Sequence, residues 1–238
     1  MHPDLAVAIS RIDGRFGART VTTASGAVRR AGERRFATGT SLDALLGGGV
    51  VTGAPLALIG PGSTGKVTLA LHAAAGAQRE GAMVAWLDPA ASLDPLAARR
   101  AGVALDRLVV LRPRGREGSL LAAAAALRCE GFRLVVVDTG PAFAPALAVD
   151  DLAPLLPTVR GSTSALLVIA ERPPARLALP SCVLERTGWE RRFGRTAGWT
   201  VSASRAFAAE AALFRVAAHA RVLEDLGVGP AARMGIAG

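Results

Sequence analysis

The 238 residues of this chain suit a single α/β domain, and a hydrophobic content of 51% is ample for a packed core. No apolar run is long enough for a membrane-spanning helix, and the opening Met-His-Pro-Asp lacks the features of a signal peptide. Cys129 and Cys182 are isolated and the three histidines are scattered, so we expect reduced core thiols and no metal centre. These features predict a cytoplasmic protein without a membrane partner.

The net charge of +9 favours partners that carry phosphate groups, such as DNA, RNA or nucleotides. Only one of the 28 basic residues is a lysine, so a coding bias toward arginine is the alternative explanation of the charge. Clustering of the arginines supports the first explanation, in which the charge serves to bind a partner that carries phosphate groups. Arg191, Arg192 and Arg195 are candidates for weak DNA contact, although aromatic residues are too sparse to support base stacking.

The first predicted element is a short N-terminal helix. Its apolar residues recur at helical spacing and form one stripe: Leu5, Ile9, Ile12 and Phe16. A helix this short needs a surface on which to bury such a stripe, either its own core or a neighbouring protein. We predict that it docks on a partner and that a polar, basic linker follows it to about residue 35.

Alternation of apolar runs with helical segments then predicts parallel βαβ units. A capped short helix closed by glycines is expected within Thr38–Gly49. The predicted strands are 55–60, 83–88, 107–111, 133–138 and 164–170, and the predicted helices are 67–80, 93–102, 117–130 and 150–160. Unbroken apolar strands are typical of a parallel sheet that is covered on both faces.

The segment Gly60–Thr68 reads G-x-x-x-x-G-K-V-T and contains the single lysine, Lys66. It lies between a predicted strand and a predicted helix, which is the context of a phosphate-binding loop. Val67 stands where such loops carry a Ser or Thr that binds Mg²⁺, and Thr68 follows one residue late. A shift of one residue rotates a helical side chain by about 100°, so Thr68 is a poor substitute.

Asp138 ends the strand Leu134–Val137 and is the candidate for the Mg²⁺ shell beside this loop. A carboxylate at the end of a strand is weak evidence alone, because many buried strands end in Asp. The phosphate-binding loop earlier in the same βαβ order supports a functional role for this one. The nucleotide site predicted from the sequence comprises Gly60, Gly62, Ser63, Thr64, Gly65, Lys66, Val67, Thr68 and Asp138.

Beyond residue 175 the pattern changes to partial alternation around the turn sequence Phe193–Gly198, which predicts an antiparallel hairpin from Ser181–Arg192 and Gly198–Ala206. Residues 207–224 are compatible with a strand followed by a helix, and the alanine content leaves that choice open. From Gly227 the tail is expected to be disordered.

The order of these segments resembles the core of the RecA recombinase family over about residues 3–206. The matching stretches are Leu5–Gly17, Thr38–Gly49, Gly60–Lys66, Ala77–Gly81, Leu93–Pro95 and Leu134–Thr139. The resemblance implies an α/β fold with a RecA-like P-loop core, in which helices flank a mostly parallel central sheet. The expected organisation is an N-terminal helix and linker (1–35), the core (36–206) and a C-terminal extension (207–238) with a disordered tail. The expected fold also includes the N-terminal helix and a C-terminal β-hairpin extension.

Four departures from the family pattern fall at the chemical site. Besides Val67, Ala90 stands where the family has a glutamate that activates water, and Ala97 where an aromatic residue packs on adenine. In the family a further strand ends in a glutamine that senses the γ-phosphate. Here the matching strand ends in Ala170-Glu171, and a carboxylate at this place would repel phosphate. The family's DNA-binding loops also look shortened or altered, and no stretch resembles its C-terminal domain.

This pattern of losses is similar to that of the ImuA group of truncated, RecA-like mutagenesis accessory proteins. The resemblance implies a catalytically inactive P-loop homologue that requires no cofactor, with ATP and Mg²⁺ binding left open. Its expected partners are ImuB, an error-prone polymerase, RecA and single-stranded DNA, in bacterial damage-induced translesion synthesis. An expected consequence is inhibition of RecA-mediated recombination.

The alternative is an active DNA-dependent ATPase, either a divergent recombinase or a motor of the RadA/KaiC type. Intact Lys66 and Asp138 are its best support.

Overall fold

The computed structural model describes residues 34–141, 145–205, 210–217 and 222–230. The predicted N-terminal helix, with Leu5, Ile9, Ile12 and Phe16, lies outside the described residues. So does almost all of the linker that follows it.

Parallel strands form the centre of the fold, and all of them except the strand at the edge of the sheet bury their apolar runs on both faces. They are β3 (Pro55–Ile59), β4 (Met83–Leu87), β5 (Leu108–Leu111), β6 (Phe132–Asp138) and β7 (Ala165–Ala170). Each of these strands was predicted to within one residue. Two short antiparallel strands, β1 (Arg35–Phe36) and β2 (Val50–Val51), precede them and form a small separate sheet.

The helices lie between the strands, as predicted. They are α1 (Leu42–Leu46), α2 (Lys66–Arg79), α3 (Pro95–Arg100), α4 (Gly115–Arg128) and α5 (Leu156–Arg160). Gly47 ends α1 in the left-handed conformation, with φ of 68°, as expected for a glycine C-cap. The helix predicted over 150–160 begins instead as a 3₁₀ helix (Val149–Leu155), because in an α-helix the ring of Pro154 would clash with the carbonyl group four residues earlier.

Four further strands extend this sheet and pair antiparallel with one another: β8 (Ser181–Arg192), β9 (Arg195–Arg205), β10 (Glu210–Ala217) and β11 (Val222–Pro230). The nine strands have the order β11-β10-β9-β8-β3-β7-β6-β4-β5, and the pairing from β8 to β5 is parallel throughout. The structure is therefore α/β with a mostly parallel sheet flanked by helices. The predicted hairpin is confirmed as β8–β9.

In the C-terminal region the structure decides part of the choice that the sequence left open for residues 207–224, and it differs from one expectation. Residues 222–224 belong to a strand and not to a helix, and β10 buries Ala212, Phe214 and Val216 with the period of a strand. The tail does not lose order at Gly227, because β11 pairs with β10 as far as Pro230. Residues 231–238 lie outside the described residues.

Two apolar clusters cover the two faces of the sheet. One contains Trp86 of β4 together with residues of α1, α2 and α3, and it continues into Val201 of β9 and Phe214 of β10. The other lies under α4 and α5. Cys182 is buried as expected, but Cys129 is exposed because it follows the last residue of α4. Among the described residues, no helix is long and apolar enough to cross a membrane.

Candidate functional site

The loop Gly60–Gly65 connects the carboxyl end of β3 to the first turn of α2. This is the strand, loop and helix context that the motif requires, so the amides of the loop and of the helix N-terminus converge on one point. Gly65 takes the left-handed conformation with φ of 82°. A side chain on Gly60 would collide with the carbonyl oxygen of Leu184 in β8, which explains the first glycine of the motif.

Lys66 is buried against its own loop. Its ammonium donates hydrogen bonds to the carbonyl oxygens of Gly60, at 2.6 Å, and Pro61, at 2.7 Å. Burial lowers the pKa of Lys66, and the negative charges of Glu171 and Asp138 oppose that shift. The lysine thus lies where the motif predicts, with its donors directed to the loop.

Asp138 lies at the end of β6 and is almost fully buried, 9% exposed. Its carboxylate accepts a hydrogen bond from the N–H of Gly140 at 2.9 Å. Burial, with the nearby charge of Asp88, raises the pKa of Asp138, while the Gly140 bond and the charge of Lys66 lower it. The structure therefore brings Asp138 into the electrostatic environment of the loop lysine.

Asp88 is a neighbour of Asp138 that the sequence analysis did not assign. It follows β4, is fully buried and accepts hydrogen bonds from the N–H groups of Ser92 and Leu93. Arg112 donates to the same carboxylate at 3.3 Å. Asp88 therefore organises the turn after β4. The signal that could have identified it, an Asp directly after a buried strand, was the one applied to Asp138.

The position after the lysine offers no oxygen ligand. Val67 is 37% exposed at the start of α2, and Thr68 is half-buried. The Thr64 hydroxyl donates to the carbonyl of Pro61 at 2.9 Å. Ser63, Thr64, Gly65, Lys66, Val67 and Thr68 line a pocket of about 440 Å³ together with Trp199 and Val216.

The other three departures lie after β7, in the turn after β4 and on α3. Glu171 follows β7, and one of its carboxylate oxygens would be 3.3 Å from a Cβ on Gly62, so it lies against the loop. Ala90 is exposed in the turn after β4 and has no group that could take a proton from water. Ala97 packs against the core cluster from α3.

Side chains of the antiparallel strands contact the loop, which the sequence analysis did not predict. The indole N–H of Trp199 in β9 donates to the carbonyl of Ser63 at 2.6 Å, and Arg186 in β8 donates to the carbonyl of Gly62 at 3.2 Å. Leu223 of β11 lies so close to Gly65 that a Cβ there would be 2.6 Å from its methyl carbon. The only hint in the sequence was two tryptophans near the C-terminus of an aromatic-poor chain.

The predicted DNA contacts Arg191, Arg192 and Arg195 lie together at the tip of the β8–β9 hairpin, where Arg192 pairs with Arg195. All three are exposed. Phe193, 94% exposed, and Trp189, 59% exposed, accompany them. The end of the hairpin therefore exposes both arginine and aromatic side chains, a combination that the low aromatic content did not suggest.

Comparison of the sequence with known proteins identifies the family of the chain. A family model described as the RecA N-terminal domain matches residues 3–153. Protein RecA of Leifsonia xyli subsp. xyli is 38% identical over 148 residues, which are 61% of this chain and 41% of that protein. Protein RecA of Streptomyces coelicolor is 36% identical over 154 residues, covering 61% and 39% of the two chains. For protein RecA of Salinispora tropica the identity is 37% over 154 residues, with 61% and 42% covered.

The chain spans about two fifths of the length of these relatives. The matched region contains the phosphate loop, Asp88 and Asp138, and it ends before β7 and the antiparallel strands that contact the loop. Since the family model covers more than half of the chain, the chain belongs to the RecA family through its N-terminal domain.

Proposed function

We propose that this protein is a non-hydrolysing RecA-like accessory factor of bacterial damage-induced mutagenesis. In this role it supports translesion synthesis by binding ImuB, an error-prone DNA polymerase and RecA. The observation that supports the proposal is the composition of the phosphate site. Lys66 and Asp138 are present there, whereas Val67 does not offer the Mg²⁺ ligand and Ala90 does not offer the base that turnover needs. Glu171 places a carboxylate where it would repel a phosphate group.

The residues around the loop fit a phosphate group better than they fit catalysis. Loop amides and the ammonium of Lys66 suit an anion, and Asp138 would hold Mg²⁺ through its carboxylate. Bound Mg²⁺ would neutralise phosphate charge, but the hydroxyl that normally binds it after the lysine is missing. Glu171 adds a negative charge beside the loop, which opposes the charge of a γ-phosphate.

An active DNA-dependent ATPase of the recombinase or RadA/KaiC type is the second candidate. Lys66 and Asp138 favour it, because both occupy the positions that the motif requires, at the edge of the sheet where β3 and β6 end. Hydrolysis of ATP with and without single-stranded DNA separates this activity from the accessory role.

Docking on RecA is tested through the N-terminal stripe. We expect that replacing both Ile12 and Phe16 with Ala abolishes capture of RecA by the purified protein and leaves the melting temperature nearly unchanged. The physical reason is that an apolar stripe on a short helix gains most of its stability from the surface that buries it. Pull-down and thermal unfolding measure the two effects.

Ser10→Ala is the matched control, since residue 10 lies away from the stripe on a helical projection. Retained capture of RecA by the Ile12/Phe16 variant, together with a large fall in its melting temperature, would assign the helix to the protein's own core.

We also propose that the hairpin tip contacts single-stranded DNA weakly and without sequence preference. Replacing Arg191, Arg192 and Arg195 with Gln should weaken binding and reduce the slope of log K against log salt by up to about 2. Each phosphate contact on single-stranded DNA contributes about 0.7 to this slope, so three lost contacts account for the expected change. Fluorescence polarisation of a labelled oligonucleotide at several salt concentrations measures both quantities.

The charge-matched control removes three arginines elsewhere on the surface, Arg99, Arg100 and Arg107. An equal loss of binding in the control, or binding that does not respond to salt, would contradict a role for the tip.

A further inference from the structure

Two of the three tryptophans of the chain lie opposite each other in the β8–β9 hairpin. Because Trp189 and Trp199 are cross-strand partners, both indoles lie on the same face of the two strands. The rings meet edge to face with their centres 5.9 Å apart, and the guanidinium of Arg186 lies 4.2 Å from the ring centre of Trp189. We call Arg186, Trp189 and Trp199 the aromatic cluster.

The cluster is anchored on the phosphate loop and presents one of its rings to solvent. Trp199 and Arg186 are the anchors, because each donates a hydrogen bond to a carbonyl of the loop. Trp189 contacts both anchors and is nevertheless 59% exposed. Contact with a guanidinium and a second ring restricts its motion. A ligand that packs on Trp189 therefore loses little affinity to the ordering of this side chain.

The arginines at the end of the same hairpin are available to phosphate groups. Among the described residues, no carboxylate forms an ion pair with Arg191, Arg192 or Arg195. The adjoining carboxylate, that of Glu190, is bound instead by Arg215 of β10 at 2.8 Å. Exposed cations and an exposed, ordered ring thus lie within a few residues of one another.

We propose that the hairpin stacks an unpaired base of single-stranded DNA on Trp189 while its arginines contact the phosphates. The inference rests on the weak DNA contact proposed above and adds the part of the strand that is recognised, which is the face of a base. Every base has such a face, so stacking agrees with binding that shows no sequence preference. In a duplex these faces are covered by the neighbouring base pairs, and the ring has nothing to stack on.

Trp189→Ala tests the stacking on three labelled probes of equal length: a dT oligonucleotide, a strand with abasic sites in place of the bases, and a duplex. Fluorescence polarisation measures each affinity. The natural protein should bind the dT strand at least about 5-fold more tightly than the abasic strand, which is the contribution of one stacked base. Trp189→Ala should remove that preference, and it should change binding of the abasic strand and the duplex by less than about 2-fold.

Two controls separate stacking from other effects of the substitution. Trp189→Phe keeps an aromatic ring and should retain the preference for the dT strand over the abasic strand. Leu226→Ala removes an exposed apolar side chain from β11 and should change no affinity by more than about 2-fold. Because the indole carries no charge, Trp189→Ala should also leave the slope of log K against log salt unchanged.

Each contrary result has its own meaning. Equal affinity of the natural protein for the dT and abasic strands would overturn the stacking and leave the arginine contact in place. An equal loss for both strands in Trp189→Ala would overturn it as well, because the residue would then act only through the shape of the hairpin. If none of the probes binds, the DNA contact proposed above fails together with the stacking.

Discussion

Replacing Phe214 with Ala should lower the free energy of unfolding by about 3–5 kcal/mol, the usual cost of removing a buried phenylalanine ring. Phe214 is fully buried in the cluster that also contains Leu58 of β3 and Trp86 of β4. Its loss should therefore destabilise the parallel strands and the antiparallel strands together. Chemical denaturation, followed by circular dichroism and tryptophan fluorescence, measures the change.

Phe193→Ala is the matched control, because it deletes the same ring from a residue that is 94% exposed. It should change stability by less than about 0.5 kcal/mol. We predict one cooperative transition in every variant, although the sequence suggested a boundary near residue 206. Two separate transitions, or a small effect of Phe214→Ala, would mean that the C-terminal strands are an independent unit.

The parts of this structure that the sequence predicted correctly are local in the chain. Gly60 to Lys66 can be recognised because strand, glycine turn and helix follow one another within a few residues, and each has its own pattern. Asp138 was found because a buried strand runs directly into it. Parallel βαβ order then brings both to the same edge of the sheet, since successive strands point in the same direction.

What the sequence could not predict depends on pairing between distant segments. Trp199 donates a hydrogen bond to Ser63, which lies 136 residues earlier in the chain. The periodicity of apolar residues carries no information about such a contact. In β10 and β11, alanine and glycine weaken the alternation that marks a strand, so only the pairing of these two strands decided between strand, helix and disorder. Glu171 was identified by comparison with a family pattern, whereas its proximity to Gly62 required coordinates.

Turnover of ATP should be slower than in a RecA-like enzyme with a complete site by at least about 10²–10⁴-fold, the usual contribution of a positioned base. The resemblance to the recombinases implies that Ala90 replaces that base and that Val67 replaces the Ser or Thr that binds the metal. The base activates the attacking water and the hydroxyl binds Mg²⁺, whereas Lys66 binds phosphate. Retention of Lys66 therefore does not compensate for either loss.

The central claim is that the protein acts by binding and not by hydrolysis, and steady-state release of phosphate from ATP tests it most directly. The assay contains Mg²⁺, is run with and without single-stranded DNA, and compares the natural protein with Lys66→Ala. We predict the same background rate in all four conditions. Phosphate release at a recombinase-like rate that is stimulated by DNA and abolished by Lys66→Ala would contradict the account.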